Sequence, residues 1–192
     1  GSGTNQYVSA LAMDGSGNLY AGGYFTAAGG VAANRIAKWD GTNWSALGSN
    51  GAGNGSLTDE PIAIQVNGSD IYVGGFFTDV NNNGTVLSTA DFIARWDGTN
   101  WSALGGNGNG NGSLDGRVYA LGLTGNKLYV GGKFTNVNND GTVLDTADYI
   151  AAYGLCTTGP ITVQNTNDSG VGSLRQAIVD ICNGGTINFN LS

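Results

Sequence analysis

The chain has no histidine, one glutamate, one methionine and two prolines among 192 residues. Without histidine there is no Ser-His-Asp triad, no imidazole base and no histidine metal ligand. Lysine and arginine together number 7 against 14 acids, a formal net charge of −7. That balance excludes the basic footprint that nucleic-acid binding needs. Glu, Lys, Arg and Met, the good helix formers, are all scarce, which argues against a largely helical protein. Charged residues make up 11%, against about 25% in an average soluble domain. No apolar run approaches the ~20 residues of a membrane helix, so no membrane span is expected. The opening GSGTNQYVSA is neither basic nor strongly apolar and carries no signal-peptide pattern.

What is abundant is glycine, 35 residues, and asparagine, 23. The glycines have no strict three-residue period, which excludes collagen. The 40% hydrophobic content suffices for a core, so the chain is expected to be ordered. The composition reads as a turn-rich, all-β protein of one or two domains. An acidic, lysine-poor, Asn/Thr/Ser/Gly-rich chain also reads as extracellular or cell-surface. In that setting a Cys156–Cys182 disulfide is one expectation, and two free buried thiols is the other.

Internal repeats organise most of the length. LYAGGYFT (19–26) returns as IYVGGFFT (71–78) and LYVGGKFT (128–135). IAKWDGTNWSALG (36–48) returns as IARWDGTNWSALG (93–105), then degraded as IAAYG (150–154). VSALAM (8–13), PIAIQV (61–66) and VYALGL (118–123) form a third block. The order is constant. The Gly pairs are spaced by 52 and then 57 residues, and Trp39, Trp96 and Tyr153 by 57. Each unit predicts four antiparallel strands, a to d. Short turns (DGSGN, NGS or TGN) join a to b, and DGTN joins c to d. The Gly pair inside strand b weakens it unless something approaches closely there.

A four-stranded antiparallel unit repeating every ~50 residues points to β-propeller-type blades. We place them at about 4–48, 58–105 and 115–154 within 1–154. With the Gly pair in strand b and Trp near strands c and d, the repeats resemble kelch-type and related surface β-propeller repeats. Three blades do not close a propeller, which takes four to eight. An unclosed array leaves edges exposed. Residues 1–3 match the tail of WSALGS (44–49), so the expectation is a piece of a longer chain, or a subunit completed by its neighbours.

From 155 the pattern changes. ITVQN (161–165) and TINFN (186–190) read as strands. SLRQAIVDIC (173–182) reads as the one good helix, opened by a Ser173/Gln176 capping box and stopped by Asn183-Gly184-Gly185. This NTNDSGVGSLRQAI segment resembles the opening of right-handed parallel β-helix domains, such as those of bacterial polymorphic outer-membrane-type surface proteins. The resemblance implies that 155–192 form a strand-helix-strand cap of such a domain.

Short, nearly invariant a–b and c–d turns lie on one face of the blades. The long b–c loops (27–33, 79–90, 136–147) and d–a loops (49–60, 106–117) lie on the other, where a binding surface belongs. DVNNNGT and NVNNDGT imitate the start of a calcium loop. Asp79, Asn81 and Asn83, and Asn136, Asn138 and Asp140, stand at alternate positions before a glycine. The acid at position twelve is missing: Ala90 and Ala147 fall there. Trp39, Trp44, Trp96 and Trp101 offer sugar-stacking surfaces, but their equal positions in consecutive units also suit packing between blades. Asp40, Asp97 and Asp14 are explained by turns. Asp59, Glu60 and Asp115 sit on the variable face without a catalytic pattern.

These residues predict a non-enzymatic extracellular or cell-surface repeat protein. It would serve adhesion or build an extracellular assembly, with copies of itself or other surface proteins as partners. A module binding carbohydrate or calcium through the long loops is the alternative, and part of a secreted hydrolase is a third reading. No catalytic residue or cofactor is assigned.

Overall fold

The computed structural model describes residues 3–125, 127–139, 142–144, 148–155, 161–164 and 186–190. Among them there is no helix, and the protein is all-β. The expected helix at 173–182, Asp140, Cys156 and Cys182 lie outside the described residues. The chain divides into two compact units. One comprises 1–122 and 129–151, the other 123–128 and 152–192.

The first repeat forms β1 (Val8–Met13), β2 (Leu19–Gly23), β3 (Ala27–Ala28), β4 (Val31–Ala32), β5 (Ile36–Trp39) and β6 (Trp44–Ala46). Its sheet has the order β1-β2-β5-β6, all antiparallel, with β3 and β4 as a separate small hairpin. The second repeat forms β7 (Pro61–Asn67), β8 (Asp70–Gly75), β9 (Val80–Asn82), β10 (Thr85–Leu87), β11 (Ile93–Trp96) and β12 (Trp101–Ala103). It repeats the same order, with β9 and β10 as the side hairpin. The third forms β13 (Arg117–Thr124), β14 (Lys127–Lys133), β15 (Val137–Asn139), β16 (Thr142–Leu144) and β17 (Ile150–Gly154). Its sheet runs β13-β14-β17, and β15 pairs with β16. β18 (Ile161–Val163) and β19 (Ile187–Phe189) pair in parallel. Among the described residues no sheet closes on itself.

The turn chemistry follows the residues. Asp40 Oδ1 accepts the N–H groups of Thr42 and Asn43 at 2.8 and 2.7 Å, and Asp97 repeats this with Thr99 and Asn100. Gly41 and Gly98 carry the positive φ that each hairpin requires. The turn brings a tryptophan pair together across strands: Trp39 against Trp44, Trp96 against Trp101, with ring centroids 5.6 and 5.4 Å apart. Trp101 is buried, and its indole N–H donates to the Leu47 carbonyl of the first repeat at 3.2 Å. The tryptophan thus ties one repeat to the next.

Consecutive sheets stack face to face. Tyr20 and Ile36 of the first repeat share one core with Ile71, Val73, Phe77, Val80, Ala94 and Trp101 of the second, and Ile64 and Val66 pack against it. The strand-b glycines make this stacking possible. A Cβ on Gly22 would stand 2.8 Å from Pro61 Cγ, and one on Gly74 would overlap Val118 of the third repeat. The second glycine of each pair has a different reason. Gly23 and Gly75 lie against the backbone of Tyr7–Val8 and of Glu60–Pro61, where β1 and β7 each carry a bulge.

One backbone feature recurs without a glycine. Arg35, Phe92 and Tyr149, each 57 residues apart, have φ of 68°, 61° and 62°. Bulky residues rarely adopt this conformation. Here two main-chain bonds hold each one. Their N–H groups donate to the carbonyls of Phe25, Phe77 and Phe134, and their carbonyls accept from Gly23, Gly75 and Gly132. The surrounding ladder overdetermines the strained residue.

Candidate functional site

The b–c and d–a segments are knit together. In each repeat the side hairpin bridges to the residues ahead of strand a: Thr4 with Ala28, Leu57 with Val80, Leu114 with Val137. Within the d–a loops, Ser49 Oγ, Asn50 Oδ1 and Asn107 Oδ1 each accept two backbone N–H groups. These short polar side chains replace a ladder with local turns. The loop tip meets the hairpin tip, with Asn83 N–H donating to the Ser49 carbonyl at 2.8 Å.

The first calcium-like segment folds as a hairpin. Val80 is buried in the core, and Asn83 and Gly84 (φ 53° and 92°) make the two-residue turn between β9 and β10. That is the Asn-Gly signature of a hairpin with left-handed central residues. Asn81 Oδ1 accepts Gly84 N–H at 2.8 Å, and the Asp79 carbonyl accepts Thr58 Oγ1 at 3.1 Å.

In the third repeat, Asn136 and Asn138 line a cavity of about 440 Å³ with Asp91, Phe92, Asn107, Asn111 and residues 112–115. Two carboxylates sit in this cleft, shifted in opposite directions. Burial pushes Asp91 up, against one bond from Gly112 N–H, and the Asp79 charge adds to the rise. Asp115 is held below the usual carboxylate range. Burial opposes that shift, but bonds from the backbone and side chains of Thr135 and Asn136 outweigh it.

The first repeat explains Asp115. Asn5 occupies its position and does the same work: its Oδ1 accepts Thr26 and Ala27 N–H at 2.9 and 3.0 Å, and its Nδ2 donates to Thr26 Oγ1. Asp115 is therefore a bracket between strand a and the start of the b–c hairpin. A test follows from the sign of its shift. A depressed folded-state pKa contributes stability that is present above the unfolded value of about 3.9 and is lost as pH falls through the folded value. Asp115→Asn is expected to keep the backbone bonds from Thr135 and Asn136, as Asn5 keeps those from Thr26 and Ala27, to lose the bond from Asn136 Nδ2, and to flatten the acid limb of a Tm-versus-pH profile below about pH 4. An unchanged acid limb would remove Asp115 from the group that sets acid stability.

A second cluster on this face involves residues that the repeat motif does not flag. The Tyr7 and Tyr24 rings stack at 5.8 Å with a 9° interplanar angle, and Arg35 Cζ lies 3.9 Å from the Tyr24 centroid. The chain's one glutamate, Glu60, is buried beneath them. It accepts Tyr7 Oη at 3.3 Å and the Ser9 hydroxyl. At the next junction Arg117 covers Phe76 at 4.6 Å, and Tyr119 meets Phe76 edge-on. A signal for these residues exists in the sequence. The columns Tyr24/Phe76/Lys133 and Arg35/Phe92/Tyr149 vary in charge and size beside residues that repeat, Gly and Phe around the first and Ile after the second, and Tyr7/Glu60/Arg117 varies at the head of strand a. Asp59, beside Glu60, receives its backbone N–H at 2.8 Å.

The cleft and the aromatic cluster supply hydrogen-bonding amides, two carboxylates and exposed tyrosine faces. No protein-family model, curated protein or solved structure matches this chain.

Proposed function

We infer that the repeats are β-propeller-type blades. The chain then serves, outside the cell or at its surface, as a non-enzymatic subunit in adhesion or in an extracellular assembly. The observation that carries this reading is the stacking itself. Each sheet buries a face against the next, and the outer faces of the first and third repeats are left open. Identical units that stack within a chain offer the same surfaces to other chains. The acidic, lysine-poor composition supports an extracellular setting. The parallel pairing of β18 with β19 supports the β-helix-like reading of 155–192, since parallel strands need a long crossover between them. Sedimentation velocity across micromolar concentrations tests self-association. The expected result is a species heavier than one chain, and a sharp monomer at every concentration would overturn it.

The cleft at Asp91, Asp115, Asn136 and Asn138 and the exposed Tyr7 and Tyr24 favour a second reading. In it the loop face binds carbohydrate, with calcium as the ion at Asp79, Asn81, Asn83, Asn136, Asn138 and Asp140. A glycan array together with a calcium titration tests it. Binding that is lost in Tyr24→Ala supports it, and the absence of both a glycan signal and a thermal shift with calcium rejects it.

A further inference from the structure

The aromatic clusters of the two junctions belong to one continuous track. Tyr7, Glu60 and Arg117 stand at the head of strand a in the three repeats, and Tyr24, Phe76 and Lys133 stand at the end of strand b. The two columns lie side by side in every repeat. Tyr24 and Phe76 donate their N–H groups to the carbonyls of Tyr7 and Glu60, and Gly132, next to Lys133, lies against the Arg117 carbonyl. Contacts then cross both junctions. Tyr7 Oη reaches Glu60 at 3.3 Å, and the Phe76 ring meets Tyr119 with centroids 5.8 Å apart while Arg117 covers it. Each junction has a repeat of this chain on both sides, so the stacking inside the chain sets the track.

The track is positive in a chain that is not. Lys and Arg number 7 against 14 acids, yet Arg35, Arg117 and Lys133 gather here. None of the three forms an ion pair among the described residues, where the one salt bridge joins Arg95 to Asp70. Both arginines lie on aromatic rings: Arg35 Cζ is 3.9 Å from the Tyr24 centroid, and Arg117 Cζ is 4.6 Å from that of Phe76. Stacking fixes the guanidinium plane and leaves its N–H edge free to bind. Arg35 uses one such group on the Tyr24 carbonyl at 2.7 Å. The acids close by in sequence are already engaged. Glu60 is 8% exposed and accepts the hydroxyls of Tyr7 and Ser9, and Asp115 accepts Thr135 and Asn136. Beside the cations stand open aromatic rings, with Tyr7 57% and Tyr119 45% exposed.

We propose that this track binds an acidic polysaccharide, with sugar rings against Tyr7 and Tyr119 and anionic groups at Arg35, Arg117 and Lys133. This rests on the carbohydrate reading of the loop face above. A tyrosine ring offers a flat apolar face with a polar tip, which suits a sugar ring. A guanidinium fork matches a planar carboxylate and pairs with other oxyanions such as sulfate. Spacing selects the polymer. Stacked sheets lie about 10 Å apart, so three repeats offer a track of roughly 20 Å, longer than one sugar. The cations stand on the first and third repeats, with Phe76 of the second between them. A nucleic-acid strand carries a charge about every 3.4 Å. It would leave most of its phosphates unpaired against a chain of net charge −7. A glycan with acid groups on some rings and neutral rings between them matches the sparse pattern.

Isothermal titration of the 192-residue chain tests this with polygalacturonate, dextran sulfate, uncharged dextran and single-stranded DNA as probes. The variants are Arg117→Gln and Lys133→Gln on the track, and Lys38→Gln beside Tyr20 as a cation off it. Arg117 and Lys133 are exposed, so both track variants are expected to keep the wild-type circular dichroism. At least one acidic polysaccharide is expected to bind, more weakly as salt rises, and uncharged dextran to bind less tightly. Each track variant is expected to weaken the acidic polymer about tenfold, the loss of one charge-assisted contact, and Lys38→Gln to leave it unchanged. Binding of polygalacturonate alone assigns a carboxylate to the ligand, binding of dextran sulfate alone assigns a sulfate, and either supports the track. Dextran bound as tightly as the acidic polymers, by wild type and track variants alike, keeps the carbohydrate reading and overturns the acidic ligand. No binding of any polysaccharide overturns both. DNA bound more tightly than the polysaccharides overturns the glycan. Equal losses in all three variants overturn the track as the site, because overall charge would then explain the binding.

Discussion

Replacing Phe77 with alanine lowers stability by about 3–5 kcal/mol, the range for deleting a buried aromatic ring. Phe77 is fully buried in the core shared by the first two repeats, in the same cluster as Val80, Ala90 and Trp101. Its loss removes transfer energy and leaves a void that the stiff strands around it fill only in part. A domain of this kind is stable by roughly 5–15 kcal/mol in total, so the loss is a large share. At about 2–4 °C per kcal/mol for this chain length, Tm falls on the order of ten degrees. Phe76→Ala is the control. Phe76 is half-buried, and its ring partners are Arg117 and Tyr119 at the loop face. Its removal forfeits an aromatic pair worth about 0.5–1.5 kcal/mol and some burial. Urea denaturation followed by circular dichroism compares the two. Equal losses from adjacent phenylalanines would show that the core does not lie on the Phe77 side of strand b.

The features that were legible in the sequence are those that the backbone demands of particular residues. Asp-Gly-Thr-Asn turns, alternating apolar strands and the order of the three repeats all follow from residue type at fixed spacing. The strand-b glycines were legible as a close approach, and Gly22 and Gly74 meet the following repeat as that reading requires. Three things were harder to see. Asn83-Gly84 imitates part of an ion loop, although Asn-Gly between Val-Asn-Asn and Thr-Val-Leu is also a hairpin signal. The left-handed conformation at Arg35, Phe92 and Tyr149 was hidden, because none of these side chains favours it and two long-range backbone bonds impose it. The bracket at Asp115 leaves no mark in the sequence beyond an acid on the variable face. Its partners Thr135 and Asn136 lie some twenty residues away, and its uncharged counterpart Asn5 becomes visible only when the folded repeats are superposed column by column.

One substitution made at three equivalent sites gives three different results. Gly74→Ala is expected to cost about 1–3 kcal/mol, the range for overpacking a tight core. Its new methyl overlaps Val118 Cγ1, with Val118 Cβ at 3.0 Å and Leu121 Cδ2 at 3.6 Å. Val118 is fully buried and β-branched, so its side chain is stiff at χ1 and has little room to yield. Gly22→Ala is expected to behave similarly. It meets the rigid Pro61 ring at 2.8 Å, although Ile64 Cδ1 at 3.1 Å is the movable end of a flexible side chain. Gly131→Ala meets Ala120 Cβ at 3.8 Å, an ordinary contact. It also relieves the roughly 0.5–1 kcal/mol that glycine costs inside a strand. None of the three glycines has a positive φ, so backbone strain does not separate them, and the difference is the presence or absence of a following sheet. Thermal melts of the three variants are expected to show two losses and one small gain. Three equal losses would mean that the glycines answer to something inside each repeat, and the stacking order would fall.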